Sequence, residues 1–315
     1  MLRLVRVELT RLRWRRAVML LLIAAVVIPA VVAAVTLWNT RPVSDADLAS
    51  AARDNASEIA RCEKKPHRYG LDDADGCQAQ IVGWYTGRQP LNLRDQRHEN
   101  TGLGVATILA ALLLLVGTTF VGHDWNTGSM SNQLLFEPRR GRIWAAKAIV
   151  VGGVSALLGA VVFSAYWLVL WAVADSRGLP AGNAELLDGL QLGWRGAVFA
   201  ACAALGGYAM TMLFRSTVAT LGVLLAVALA GGIVIAALGI GERWQPPVNL
   251  QAVVENGATY YVDPPQACFN GAPPPGVNCS GERHLDLAPA AGYWGVALVL
   301  AGALSLVSFR RRDVP

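Results

Sequence analysis

The chain has 315 residues, 54% of them hydrophobic and 16% charged, with a formal net charge of +5. A soluble core of this length uses far less apolar material, so an ordinary soluble globular domain is excluded. The charges are also segregated: Asp, Glu, Lys and Arg are absent from 17–40, 101–122, 148–174, 196–214, 216–241 and 287–309. Roughly 20 apolar residues of helix cross a bilayer core about 30 Å thick, and each window contains or approaches such a run. The expected fold class is an all-α polytopic membrane protein with six transmembrane helices in a single domain over residues 1–315.

The first sixteen residues, MLRLVRVELTRLRWRR, put Leu2, Val5, Leu9 and Leu12 on one side of a helix and arginines over much of the rest. That pattern predicts an interfacial helix at 1–16 whose basic stems reach toward headgroups, the alternative being a plain topogenic tail. The first span follows at 17–38. Its apolar run is longer than the about 7–15 residues of a secretory signal, and no small-residue cleavage pattern follows Trp38, so it is expected to stay. The loop at 39–101 carries Asp45, Asp47, Asp54, Asp72, Asp73 and Asp75 beside its bases. It is long enough, at roughly 60 residues, to cross regardless of charge. Its stretch DADLASAARDNASEIARCEKK suits helices and DDADG suits a turn, which together predict a small external cap.

The second span is expected at 102–122 and the third at 147–174. Between them, residues 123–146 are polar and arginine-rich. Asp124 or Asn126 is placed to cap a short helix, Leu134, Leu135 and Phe136 give it an apolar patch, and Pro138 ends it. Arg139, Arg140 and Arg142 follow, and Lys147 opens the third span. Two readings stay open: a helix offered to a soluble partner, or a connector whose arginines only set topology. Near the far end of the third span, Tyr166, Trp167 and Trp171 read as an interfacial aromatic belt or as the lining of a substrate path.

The segment 175–194 contains NAELLDGLQLGW, readable as a short interfacial helix or a loop. The fourth and fifth spans are expected at 195–214 and 216–240, with Gly206, Gly207, Gly231 and Gly232 permitting close helix packing. The loop at 241–288 carries PPV, DPP and APPPG and is expected to be mostly irregular. The sixth span, 289–309, runs into SFRRRDVP.

Short basic flanks set the orientation. Arg3 to Arg16, Arg139 to Lys147, Arg215 and Arg310 to Arg312 all fall on one side, so both termini are expected in the cytoplasm with two larger loops outside. Cys62 and Cys77 then lie in the first external loop and Cys268 and Cys279 in the last. Two local disulfides are the simplest expectation, although four cysteines allow three pairings.

No ionisable residue interrupts a span, and no internal repeat is evident, which weakens an ion-coupled secondary transporter. His67, His98, His123 and His284 form no metal-ligand spacing, and GxSxG and GxxxxGK[ST] are both absent. The chain is expected to be no enzyme and to hold no cofactor or metal of its own; nucleic acid is not an expected partner.

Asp124, Gly128, Ser129, Leu134, Leu135, Pro138, Arg139, Arg142 and Lys147 together form a pattern that resembles the signature of type 2 export permeases of ATP-binding cassette (ABC) transporters. The ending, with Phe309, Arg311, Arg312 and Asp313, is similar to the close of those permeases, as is a basic N-terminal helix leading into six spans. Asp124 stands where that family usually has Glu, and the first external loop is longer than in its plainest members. The resemblance implies that 123–146 holds a coupling helix, with Asp124, Gly128, Ser129, Leu134, Leu135, Phe136, Pro138, Arg139, Arg142 and Lys147 as the ATPase-coupling residues. It further implies two copies of a separate ABC ATPase subunit carrying ATP and Mg, a second permease subunit (homo- or heterodimer), and contact with membrane lipid. The expected function is export of a hydrophobic or amphipathic drug, peptide or lipid across the plasma membrane. A non-transporting membrane sensor or scaffold, signalling through the same cytoplasmic helix, is the alternative.

Overall fold

A computed structural model describes residues 1–98, 101–238, 241–269 and 279–312. Thirteen α-helices occur among the described residues. At the start are α1 (Leu2–Arg13) and α2 (Arg16–Asn39), then the small helices α3 (Asp45–Asp54), α4 (Ala56–Lys64), α5 (Cys77–Thr86) and α6 (Leu93–His98). Next come α7 (Thr101–Asn126), α8 (Ser129–Phe136), α9 (Arg140–Ser176), α10 (Asn183–Phe214) and α11 (Thr217–Ala237). The chain closes with α12 (Pro246–Glu255) and α13 (Leu287–Arg311). Among them α2, α7, α9, α10, α11 and α13 are long and apolar enough to cross a membrane.

The bundle is built around α10, which packs along both α7 and α9, with α2 against α7 and α9 and with α13 against α10. Leu109, Leu113, Phe120, Phe163, Trp167 and Tyr208 form its buried centre. Helix α11 lies at the edge, and most of its apolar side chains are exposed, as expected where the solvent is lipid and not water. Small residues set the tightest crossing. A Cβ on Gly117 of α7 would meet the Ala204 carbonyl of α10, and one on Gly207 would meet the Leu114 carbonyl. The expectation for the other glycines is corrected, because Gly206, Gly231 and Gly232 face open space.

Helix α10 begins at Asn183, so NAELLDGLQLGW is neither a separate interfacial helix nor a loop but the first turns of this long helix. Gly189, Gly193 and Gly196 would be costly in an isolated helix. Here they give Phe163 and Trp167 room to lie against the α10 backbone, which leaves little space for a Cβ. The same packing corrects the reading of the aromatics. Tyr166 and Trp167 are buried in the bundle, neither forming a headgroup belt nor facing an open path. The Trp171 indole N–H donates to the Ala181 carbonyl at 3.1 Å, closing the turn between α9 and α10.

At the end of the bundle away from α1 and α8, residues 44–98 form the small cap. Cys62 and Cys77 are at disulfide distance, with their Cα atoms 5.7 Å apart, and pack with Ile81, Ile59, Tyr69 and Leu71. The cap opens on a capping box: the Ser44 side chain accepts from the Asp47 N–H, and the Asp47 carboxylate accepts from the Ser44 N–H at 3.1 Å. Arg88 reaches the same carboxylate at 3.3 Å from the far side of the cap. The Ser44 hydrogen bonds, with the nearby Arg88 charge, hold the Asp47 carboxyl down at about 2. A carboxyl depressed by folding contributes stability that is complete above its unfolded value and lost as pH falls through the folded one. Amide hydrogen exchange over Ser44–Asp54 is therefore expected to accelerate as pH falls from about 4 to about 2, beyond the intrinsic trend. Asp47→Asn should remove that extra step.

The segment after α11 differs most from expectation. Within it, besides irregular stretches, are α12, then β1 (Ala258–Tyr261) and β2 (Glu282–Leu285), paired antiparallel with Ala258 opposite Leu285. Pro246 and Pro247 start α12 instead of breaking it, because the first helical positions need no N–H partner. The DPP sequence at 263–265 does leave helix and strand, whereas APPPG lies outside the described residues. Cys268 and Cys279 are at disulfide distance between the two strands, Cα atoms again 5.7 Å apart.

Candidate functional site

The end of the bundle that carries α1, α8 and the last turn of α13 is called here the basic end. Two helices overrun their charge-free windows at this end: α7 continues to Asn126 and α9 starts already at Arg140. After Gly141, inside the first turn of α9, no glycine or proline interrupts RIWAAK, so the helix projects beyond the apolar layer. Gly128 turns the chain between α7 and α8 at φ +66°, a left-handed conformation that a residue without Cβ takes at little cost. Asp124 lies inside α7 and makes no cap to α8, contrary to the expectation that it or Asn126 would do so.

Asp124 and Lys147 instead face one another in the interior. Both are 0% exposed, and the Lys147 ammonium donates to Asp124 at 2.6 Å and to Glu8 of α1 at 2.7 Å. Arg11 lies 3.3 Å from Asp124 and 3.3 Å from Glu8, and its guanidinium also donates to the Ser129 hydroxyl at the start of α8. Arg15 pairs with Asp124, donates to the Phe120 carbonyl, and sits over the Phe120 ring with Lys147 close by. About one turn back along α9 toward the basic end, the Tyr208 hydroxyl donates to the Trp144 carbonyl at 2.7 Å. Charges taken out of water at this depth hold only when each is paired and hydrogen-bonded, as these are. The cluster joins α1, α7, α8 and α9 at one point.

The short helix α8 hangs from that point. Met130 is buried and Leu134 packs against the core, so only part of the expected apolar patch is free. Leu135 and Phe136 are 81% and 92% exposed. Pro138 and Arg139 are exposed beside them, and Arg142 is paired with Glu137 at 3.0 Å. Arg140 is turned toward the end of α13, donating to the Phe309 carbonyl at 3.2 Å. An open cleft of about 590 Å³ lies next to α8, lined by Met1, Pro138, Arg139, Arg140, Arg142 and Arg310.

The residues singled out by the sequence motif thus divide into two groups. Asp124, Ser129, Leu134 and Lys147 anchor α8 from inside, whereas Leu135, Phe136, Pro138 and Arg139 form the outer tip, with Arg142 beside it on Glu137 and Gly128 as the turn between the two groups. Sequence reasoning missed Glu8, Arg11 and Arg15 as members of the same site. The available signal was Glu8 itself, the one acid among six arginines in the first sixteen residues. On α1 the buried positions are Glu8 and Leu12, while Leu2 and Leu9 of the expected apolar side are exposed.

Comparison with protein-family profiles, with curated proteins and with solved structures found no match to this chain. Among the described residues there is no group of three or more metal-ligating side chains.

Proposed function

We propose that this chain is the membrane-spanning subunit of an ATP-driven exporter of the ABC type 2 kind, with α8 as the helix that its ATPase grasps. The observation that carries the reading is a short helix with a bare Leu135–Phe136 tip, fixed at its root to two spanning helices by buried ions. An exposed apolar pair in water is a recognition feature when charged groups rim it, as Arg139 and the neighbouring basic cleft do here. A push on the tip would be passed through Asp124 and Lys147 to α7 and α9 and through Ser129 and Arg11 to α1. ATP and Mg would be bound by two copies of the separate ATPase subunit, and a second permease subunit would complete the path for a hydrophobic or amphipathic substrate. Such coupling requires two packings of the helices with different partner contacts.

The test is co-purification of the chain with an ATP-binding subunit, followed by transport assays on Leu135→Asp and Phe136→Asp. Either variant should lower ATP-dependent transport by at least about tenfold, the equivalent of about 1.4 kcal/mol of lost contact. Its level in the membrane and its melting temperature should not change, because both side chains are exposed. Unchanged transport would remove the assignment. A chain that recruits no ATPase, yet binds a ligand through its disulfide-tied cap, would be a membrane sensor instead.

A further inference from the structure

A second cleft at the basic end, of about 540 Å³, lies where α1 meets α2 and α7. Arg11, Trp14, Arg15, Arg16, Val18 and His123 line it. Two independent features of its walls point to one kind of occupant. The first is an imbalance in the ion cluster behind it: Arg11, Arg15 and Lys147 are three cations, Glu8 and Asp124 are two carboxylates, and one positive charge is left over. Arg11 and Arg15 belong to both the cluster and the cleft wall, so the surplus is presented to whatever enters. Arg16 adds a further cation and has no ion-pair partner among the described residues. A surplus charge at the margin of an apolar bundle is poorly hydrated and draws in a counter-ion.

The second feature is the shape of the apolar part. Trp14 is 80% exposed at the corner between α1 and α2, while exposed Ala17 in the cleft wall and Leu20 just beyond it, 67% exposed, carry the cleft onto the outer apolar wall of α2. A free phosphate would have no use for either. An indole at headgroup depth beside basic side chains, continued by an aliphatic wall, suits a molecule with an anionic head and a hydrocarbon tail. We propose that this cleft is a binding site for one anionic phospholipid, its phosphate held by Arg11, Arg15 and Arg16, its glycerol region against Trp14, and its acyl chain along α2. The site rests on the membrane placement of the chain and not on the exporter reading, so the two stand or fall separately. Bound lipid neutralises the cluster from outside and so strengthens the seat of α1.

The experiment uses the full chain in a neutral detergent, titrated with phosphatidylglycerol, with phosphatidylcholine or with inorganic phosphate, and reads bound lipid by native mass spectrometry together with the melting temperature. Phosphatidylglycerol should bind and raise the melting temperature, whereas phosphatidylcholine and inorganic phosphate should do so much less. Arg16→Ala should weaken phosphatidylglycerol binding about fivefold, in keeping with about 1 kcal/mol per basic side chain near an anionic surface. Arg16→Lys should restore most of it, and Trp14→Ala should weaken it without altering the melting temperature of the lipid-free protein. An Arg139→Ala, Arg310→Ala double variant, in the other basic cleft, should bind as the unaltered chain does. Equal binding of the two lipids overturns the proposal, as does stabilisation by inorganic phosphate as strong as by the lipid. Loss of binding in the Arg139, Arg310 variant, with Arg16→Ala unaffected, overturns it too by moving the site.

Discussion

Asp124→Ala is expected to destabilise the protein by about 3–5 kcal/mol, the usual cost of removing one partner from a buried ion pair. Asp124 accepts from Lys147 at 2.6 Å, lies 3.3 Å from Arg11 and pairs with Arg15. Without it, three cations share Glu8 alone. Lys147→Met should cost less, because Arg11 and Arg15 then remain against Glu8 and Asp124 in equal number, although the packing under Phe120 is lost. The double variant Asp124→Ala, Lys147→Met should be more stable than the sum of the single losses predicts. Melting curves of the four proteins in one detergent measure this coupling. Additivity to within about 0.5 kcal/mol would mean that the two side chains do not act as a unit.

The second large effect lies at the crossing of α7 and α10. Gly117→Ala is expected to cost about 3 kcal/mol, the upper part of the range for overpacking, because the new methyl meets backbone and not a side chain that can turn away. Its nearest neighbours would be the Ala204 carbonyl and the Tyr208 nitrogen, with Gly207 facing the Leu114 carbonyl and Thr118 one turn along. Neither helix can yield without the other. Gly206→Ala, one residue from Gly207 and facing nothing within 4 Å, should be nearly silent. If both substitutions proved equally harmful, the close crossing would not be the cause, since helix propensity alone favours Ala over Gly at either position.

That contrast explains what the sequence concealed. Spans are written in a local code, since a charge-free run of sufficient length is visible without knowing its neighbours, and all six windows fall on long apolar helices. Glycines carry no such code: Gly206 and Gly207 are adjacent letters, and only the partner helix decides which one is indispensable. The ion cluster was hidden for the same reason. Glu8 and Lys147 are 139 residues apart, so no spacing rule joins them. The capping box at the start of the cap was the reverse case, a local signal present as Ser44 followed three residues later by Asp47. The apolar tip of α8 was readable from Leu135 and Phe136, but Leu134 was assigned with them because the line of sequence does not show which side of a two-turn helix the core takes.

The position of Glu8 also bears on how the protein is made. Helix α1 leaves the ribosome before α7 and α9, carrying an acid that must be buried and arginines that must be matched, while Asp124 and Lys147 have yet to be synthesised. It has no interior to enter until α7 and the start of α9 are in place. Until then Glu8 stays hydrated. Helix α1 is thus seated only after its partners are made, and its burial requires that the first three spans have found one another.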